Sequence, residues 1–287
     1  MKRFAILLIL PVLLIPALGC SISLDLPRVD LDNIETGSTN TLAIEEPLPD
    51  GEERAVVRLR MSAGTLNIEG GANGLVEGEI EYNVARWEPE IERSGDRLTI
   101  MQDRIRGGLP GDRVINHWDL RLGDIPLDLA IEAGAYQGTL DLSGLSIVDL
   151  SISDGASDAQ VTFDEPNPER MRTFRYETGA SQVRLNGLAN ANFEELVFEG
   201  GTGNYRLDFS GELQQDARAQ VTSGLSNLDL IFPEDMAVEV RVTGGLNNVS
   251  TSGRWTINDD VYTREGAGPQ LLVEVEMGLG NLNIDVR

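Results

Sequence analysis

The sequence predicts an all-β protein, a repetitive β-solenoid of stacked parallel coils about 22 residues long. Three observations predict it. A short glycine turn ending in one polar residue recurs at 134–137 (GAYQ), 155–158 (GASD), 179–182 (GASQ), 201–204 (GTGN), 224–227 (GLSN), 245–248 (GLNN) and 278–281 (GLGN), with a degenerate copy at 62–65 (SAGT). Apolar residues flank each turn at every second place, as in 127–131 (LDLAI) and 140–142 (LDL), so each strand has one buried and one wet face. The chain also carries 31 glycines and 5% aromatics, and no stretch of the body sustains a helical period. A single coil of this size cannot bury its apolar face, whereas stacked coils build a continuous core.

The elements follow in chain order. Residues 1–20 form a signal peptide: Lys2 and Arg3 start it, and an apolar run from Phe4 to Leu18 follows. Fifteen residues at about 1.5 Å each fall short of the roughly 30 Å hydrocarbon layer, so the run is too short for a membrane span. It closes at Ala17, Leu18, Gly19 and Cys20, which resembles the bacterial lipobox with Ala17 where leucine is more usual. Cys20 is the only cysteine, so it is the lipidation candidate and no disulfide is available. Residues 21–54 are polar and acidic with several prolines, and read as a tether. Residues 55–126 form an N-terminal unit with an irregular excursion, including a strand at 97–101 and a glycine loop at 107–111. Residues 127–287 form the regular solenoid, and the long step from Asn248 to Asn281 calls for an insertion at 253–268.

Six of the eight residues that close the turns are amides: Gln137, Gln182, Asn204, Asn227, Asn248 and Asn281. On coils stacked about 4.8 Å apart they form a structural ladder along the stack. The turn glycines are expected to supply positive φ at each corner.

Several of these pieces together carry a family resemblance. The run 62–71 (SAGTLNIEGG), then Glu81, Tyr82, Asn83, Trp87, Glu88 and Pro89, then 118–122 (WDLRL), 126–129 (PLDL), Gly134, Ala135 and 141–145 (DLSGL) resemble the toast-rack N-terminal domain family of bacterial surface lipoproteins. The later turns resemble related adhesin-type domains of unknown function and, more distantly, the extracytoplasmic part of cell-wall-active antibiotic response regulators. The resemblance spans 56–287. It implies a stacked β fold exposed on the cell surface, and carries over no catalytic residue. The family's frequent Gly-Ala-Gly turn is replaced by Gly-Ala-Tyr at 134 and Gly-Ala-Ser at 155 and 179.

Composition narrows the chemistry. The formal charge is −24, which disfavours nucleic acid and anionic lipid headgroups as partners. Lys2 is the only lysine, so the body has no Schiff-base or phosphate-loop lysine. His117 is the only histidine, which excludes a multi-histidine metal site, and beside Trp118 it reads as a packing residue. Neither 155–159 (GASDA) nor 224–228 (GLSNL) completes a nucleophile elbow. The acidic pairs Asp154 with Asp158, Glu194 with Glu195, and Asp259 with Asp260 sit in expected turns or insertions, where carboxylates serve solubility and local hydrogen bonds. The segment 200–204 lacks the aspartate of calcium-binding nonapeptide repeats. Trp87, Trp255, Tyr136 and Tyr262 fall where side chains can reach solvent or cap the stack.

The sequence therefore predicts no enzyme, no cofactor, no catalytic residue and no metal ligand. It predicts an extracytoplasmic protein anchored to the membrane through Cys20, adhesin-like or scaffolding, with an envelope polymer or a membrane protein as partner and a small-molecule substrate disfavoured. The alternative is an envelope-stress sensory or regulatory lipoprotein acting through a membrane partner.

Overall fold

The computed structural model describes residues 34–51, 54–103 and 113–287. The signal peptide, Cys20, residues 21–33 and the expected loop at 107–111 lie outside the described residues. Among the described residues no helix is long and apolar enough to cross a membrane.

Among the described residues fifteen strands form one mostly parallel sheet. The regular part is built from long strands, each bent once: β7 (Leu127–Asp141), β8 (Ile147–Thr162), β9 (Met171–Asn186), β10 (Phe193–Asp208) and β11 (Ala217–Phe232). Successive strands pair in parallel, one coil per strand. In β8 the inward positions are Leu150, Ile152 and Asp154 before the glycine, and Ser157, Ala159 and Val161 after it. The alternation thus shifts by one residue at the corner, which lets both arms turn their apolar residues toward a shared core. Rings run through that core along the stack. Tyr176 lies 5.7 Å from Phe198, Phe198 lies 5.0 Å from Tyr205, and Phe209 stacks on Phe232 at 5.1 Å.

The turn glycines divide in their physical role. Gly64 and Gly280, within the turns at 62–65 and 278–281, have the expected positive φ, at 149° and 142°, whereas Gly134, Gly155, Gly179, Gly201, Gly224, Gly245 and Gly278 do not. From Gly155 onward these first glycines are needed for close approach: a Cβ on Gly179 would stand 2.4 Å from the Gly155 carbonyl oxygen, and one on Gly201 would stand 2.3 Å from that of Gly179. The bend brings backbone against backbone from coil to coil, and a methyl group has no room there.

The N-terminal end continues the same sheet. β2 (Ala55–Ala72) pairs in parallel with β7 from Ala55 to Ile68, so the expected line at 126/127 runs through continuous sheet. The second arm of β2 also pairs with β6 (Asn116–Gly123), followed by the antiparallel β3 (Val76–Tyr82) and β1 (Asn40–Glu46). Within the stretch 21–54 expected as a tether, residues 40–46 form β1: Leu42 and Ile44 alternate with exposed Thr41, Ala43 and Glu45, and Ile44 is buried, so these residues serve as an edge strand. The first arm of β2 is capped by β5 (Arg97–Met101), in the position expected for that strand, and by β4 (Glu90–Ser94).

At the other end, chain order and sheet order part. The C-terminal strand β15 (Gln270–Val286) lies between β11 and β12 (Ala237–Thr251), in register with both. The insertion at 253–268 holds a hairpin of β13 (Thr256–Asn258) and β14 (Val261–Arg264), and β14 covers only the first arm of β12. Trp255 closes this end, its ring centroid 5.9 Å from that of Phe232 in an edge-to-face contact.

Candidate binding surface

Each second arm points its outward side chains away from the core, and parallel register turns equivalent positions into rows. The six amides fall in one row. Across the sheet it reads Thr65, Gln137, Asp158, Gln182, Asn204, Asn227, Asn281 and Asn248. Side-chain bonding runs through its middle: Asn227 Nδ2 donates to Asn204 Oδ1 at 2.9 Å, and Asn281 Nδ2 donates to Asn227 Oδ1 at 2.7 Å. Asn281 stands between Asn227 and Asn248 because β15 does.

Two residues further along each strand runs a second row: Asn67, Thr139, Gln160, Arg184, Arg206, Asp229, Asn283 and Ser250. Arg184 donates to Asp158 at 3.1 Å, Arg206 to Asp208 at 3.3 Å, and Asn283 to Asp229 at 2.6 Å. Gln182, Asn204, Asn227, Asn281 and Asn248, with parts of the second row, line a shallow groove of about 500 Å³. Asn204, Asn227, Asp229, Asn281 and Asn283 are half-buried and held by one another, so a ligand would meet an ordered surface there, while Arg184 and Asn248 are exposed.

A second polar group lies inside the corner. Asp154, expected in a solvated turn, is a strand residue and buried, while Asp158 faces out on the other side of the sheet. The one-residue shift at Gly155 causes this separation. Asp154 accepts hydrogen bonds from Ser157 Oγ and Tyr176 OH, each at 3.1 Å, and from Thr178 Oγ1 and Ser181 Oγ of the next coil. Tyr136 OH lies 3.2 Å from Tyr176 OH. Burial raises the Asp154 carboxyl above the ordinary range, although the hydroxyl donors oppose it. Burial likewise pushes up the phenols of Tyr136, Tyr176 and Tyr205. The buried Tyr205 hydroxyl has no hydrogen-bond partner among the described residues.

Other expected residues are distributed as follows. Trp87 and Tyr136 are fully buried, which removes them as surface aromatics, and Tyr262 is half-buried. His117 is exposed on β6 with Glu81 4.0 Å away, while Trp118 beside it is buried. His117 is therefore a surface residue, because strand alternation turns the two neighbours to opposite faces. Among the described residues no cluster of three or more His, Cys, Asp or Glu could hold a metal ion.

A set of amides that sequence reasoning missed staples the return loops. Asn167 Nδ2 donates to the Ile147 carbonyl at 2.7 Å and to that of Ala191 at 3.1 Å, while its Oδ1 accepts from the backbone of Ile147 and Glu169. Asn190 bonds the Phe163 carbonyl, Asn192 that of Glu169, and Gln215 that of Asn192. These residues link four consecutive coils, from Ile147 at the start of β8 to Gln215 before β11. The visible signal is an amide shortly before each of β9, β10 and β11, at Asn167, Asn190 with Asn192, and Gln215, which the glycine turns overshadow.

Residues 32–174 match the model of the N-terminal domain of toast_rack, a domain of unknown function. The fold is similar to a crystal structure from Clostridium sporogenes named as a candidate cell adhesion protein, at 19% identity and TM-score 0.47, covering 87% of this chain and 99% of that one. It is also similar to one from Bacteroides fragilis named as a candidate adhesin, at 9% identity and TM-score 0.42, covering 86% and 97%. No curated protein matches the chain.

Proposed function

Residues 32–174 belong to the toast-rack N-terminal domain family, and from that premise we propose that the protein is a non-enzymatic, adhesin-like protein of the cell surface, exported and anchored through lipidated Cys20, that presents its outer sheet face to an envelope polymer. The observation that carries this reading is the amide row, set in register across the long strands and bordering a groove of about 500 Å³. Repeated, evenly spaced donors and acceptors suit a repeating ligand better than a small molecule, for which an enclosed apolar pocket is the usual site. The separation of Asp154 from Asp158 by the sheet speaks against a paired-carboxylate hydrolase there.

Two measurements test it. The full chain is expected to sediment with purified cell-envelope material, and a triple variant with Asn204, Asn227 and Asn281 changed to alanine is expected to lose most of that binding. Cys20→Ser is expected to move the protein from the membrane fraction to the soluble one. Absence of binding to envelope material and whole cells would remove the adhesin reading.

A further inference from the structure

Within the outer face, Arg184 and Arg206 stand directly opposite each other on neighbouring parallel strands. Like charges in that position destabilise a sheet pair, and nothing in the composition demands it, since the chain has 23 basic and 47 acidic residues. Each arginine touches one carboxylate, Asp158 and Asp208 respectively, through a single nitrogen. Their side chains remain 45% and 33% exposed, and both line the groove beside the amides. In the two rows this is the one place where two arginines adjoin. A guanidinium offers five donors in a planar fork, so the pair can close on one oxyanion that relieves the repulsion between them.

The surroundings limit how many anions fit. Asp229 follows Arg206 in the second row and also lines the groove, Asp158 lies beside Arg184, and Asp208 beside Arg206. A polymer charged at every unit would set its next anions against these carboxylates. The amide row Gln182, Asn204, Asn227, Asn281 and Asn248 instead offers neutral donors and acceptors over about 19 Å, at roughly 4.8 Å per strand. The overall negative charge does not forbid such a ligand, because repulsion from distant residues is screened within about 8 Å at physiological salt.

We propose that this groove binds a glycan chain whose carboxylates are spaced by neutral sugars, with one carboxylate on the Arg184 and Arg206 pair and the sugar hydroxyls on the amide row. The inference rests on the surface-binding reading above and names its ligand class.

Calorimetry on the full chain tests it with three polymers: hyaluronan oligosaccharides, in which uronates alternate with neutral sugars; polygalacturonate, charged at every sugar; and dextran, uncharged. Hyaluronan is expected to bind at least tenfold more tightly than either of the others. Arg206→Gln should weaken it about tenfold, and Arg184→Gln with Arg206→Gln about a hundredfold, while Arg206→Lys retains part of the affinity. Thermal melts within a few degrees of the parent keep the comparison on folded protein. Equal binding of dextran, preference for polygalacturonate, or hyaluronan binding that survives the double substitution would each overturn the inference and leave the broader surface reading standing. Failure of all three glycans overturns the inference, and only the envelope sedimentation assay, if also negative, overturns the broader reading.

Discussion

At the scale of single residues, the fold places an acid where it is least stable as an ion. Asp154 has four hydroxyl neighbours and no cation among its hydrogen-bond partners, and burial raises its folded-state pKa. Below the unfolded value of about 3.9 the carboxyl is neutral in both states and has no effect on stability. As pH rises from there toward the folded pKa, the unfolded chain ionises first, so this residue's contribution falls with rising pH and then levels off. Asp154→Asn removes that slope. It is expected to stabilise the protein by about 1–2 kcal/mol at neutral pH, with the gain fading toward pH 4, as urea melts at several pH values would show. Gly179 tests the neighbouring principle of close approach. Gly179→Ala forces a methyl group against the Gly155 carbonyl and should cost about 2–3 kcal/mol in the same assay.

Among the elements, the strands and the return loops use amides in opposite ways. Asn227 shares its bonds with Asn204 and Asn281 on a half-buried surface, where water can replace a lost partner. Asn167 bonds buried backbone groups of two other coils that water cannot reach. Asn167→Ala is therefore expected to cost about 3 kcal/mol and Asn227→Ala under about 1 kcal/mol. Calorimetric melting of the two variants checks the ordering, and equal losses would refute it. The residue that repeats most visibly is thus available for recognition, while a less regular one holds the coils in place.

For the whole molecule, a stack of repeats is stabilised by each neighbour's contacts. Because β15 lies between β11 and β12, ending the chain after residue 269 would strip a partner from both. Such a truncation is expected to unfold the last coils and expose 217–251 to limited proteolysis, leaving the N-terminal strands protected. Much of this architecture was legible. The period, the apolar alternation and the amide row are local patterns that recur in the chain, and β5 announced itself by composition. Strand order at the C-terminal end was not legible, since Asn248 and Asn281 fit the same rung and spacing alone cannot say which one adjoins Asn227. Nor was the interior place of Asp154, because an alternation carried unchanged across Gly155 assigns it to the wrong face. The pairing of Arg184 with Arg206 needed the register, which the sequence implies only once the turns are aligned.

The interposed last strand also sets a schedule. β12 is synthesised before β15, the segment that must slide in beside it, so β11 cannot acquire its permanent neighbour until residues 270–286 have left the ribosome. If β12 docked on β11 early, it would have to yield its place, and the matching register of Asn248 and Asn281 makes that exchange one of like for like. β15 thereby acts as a closing piece: a chain cut short before residue 270 leaves the facing edges of β11 and β12 open, whereas insertion of β15 covers both.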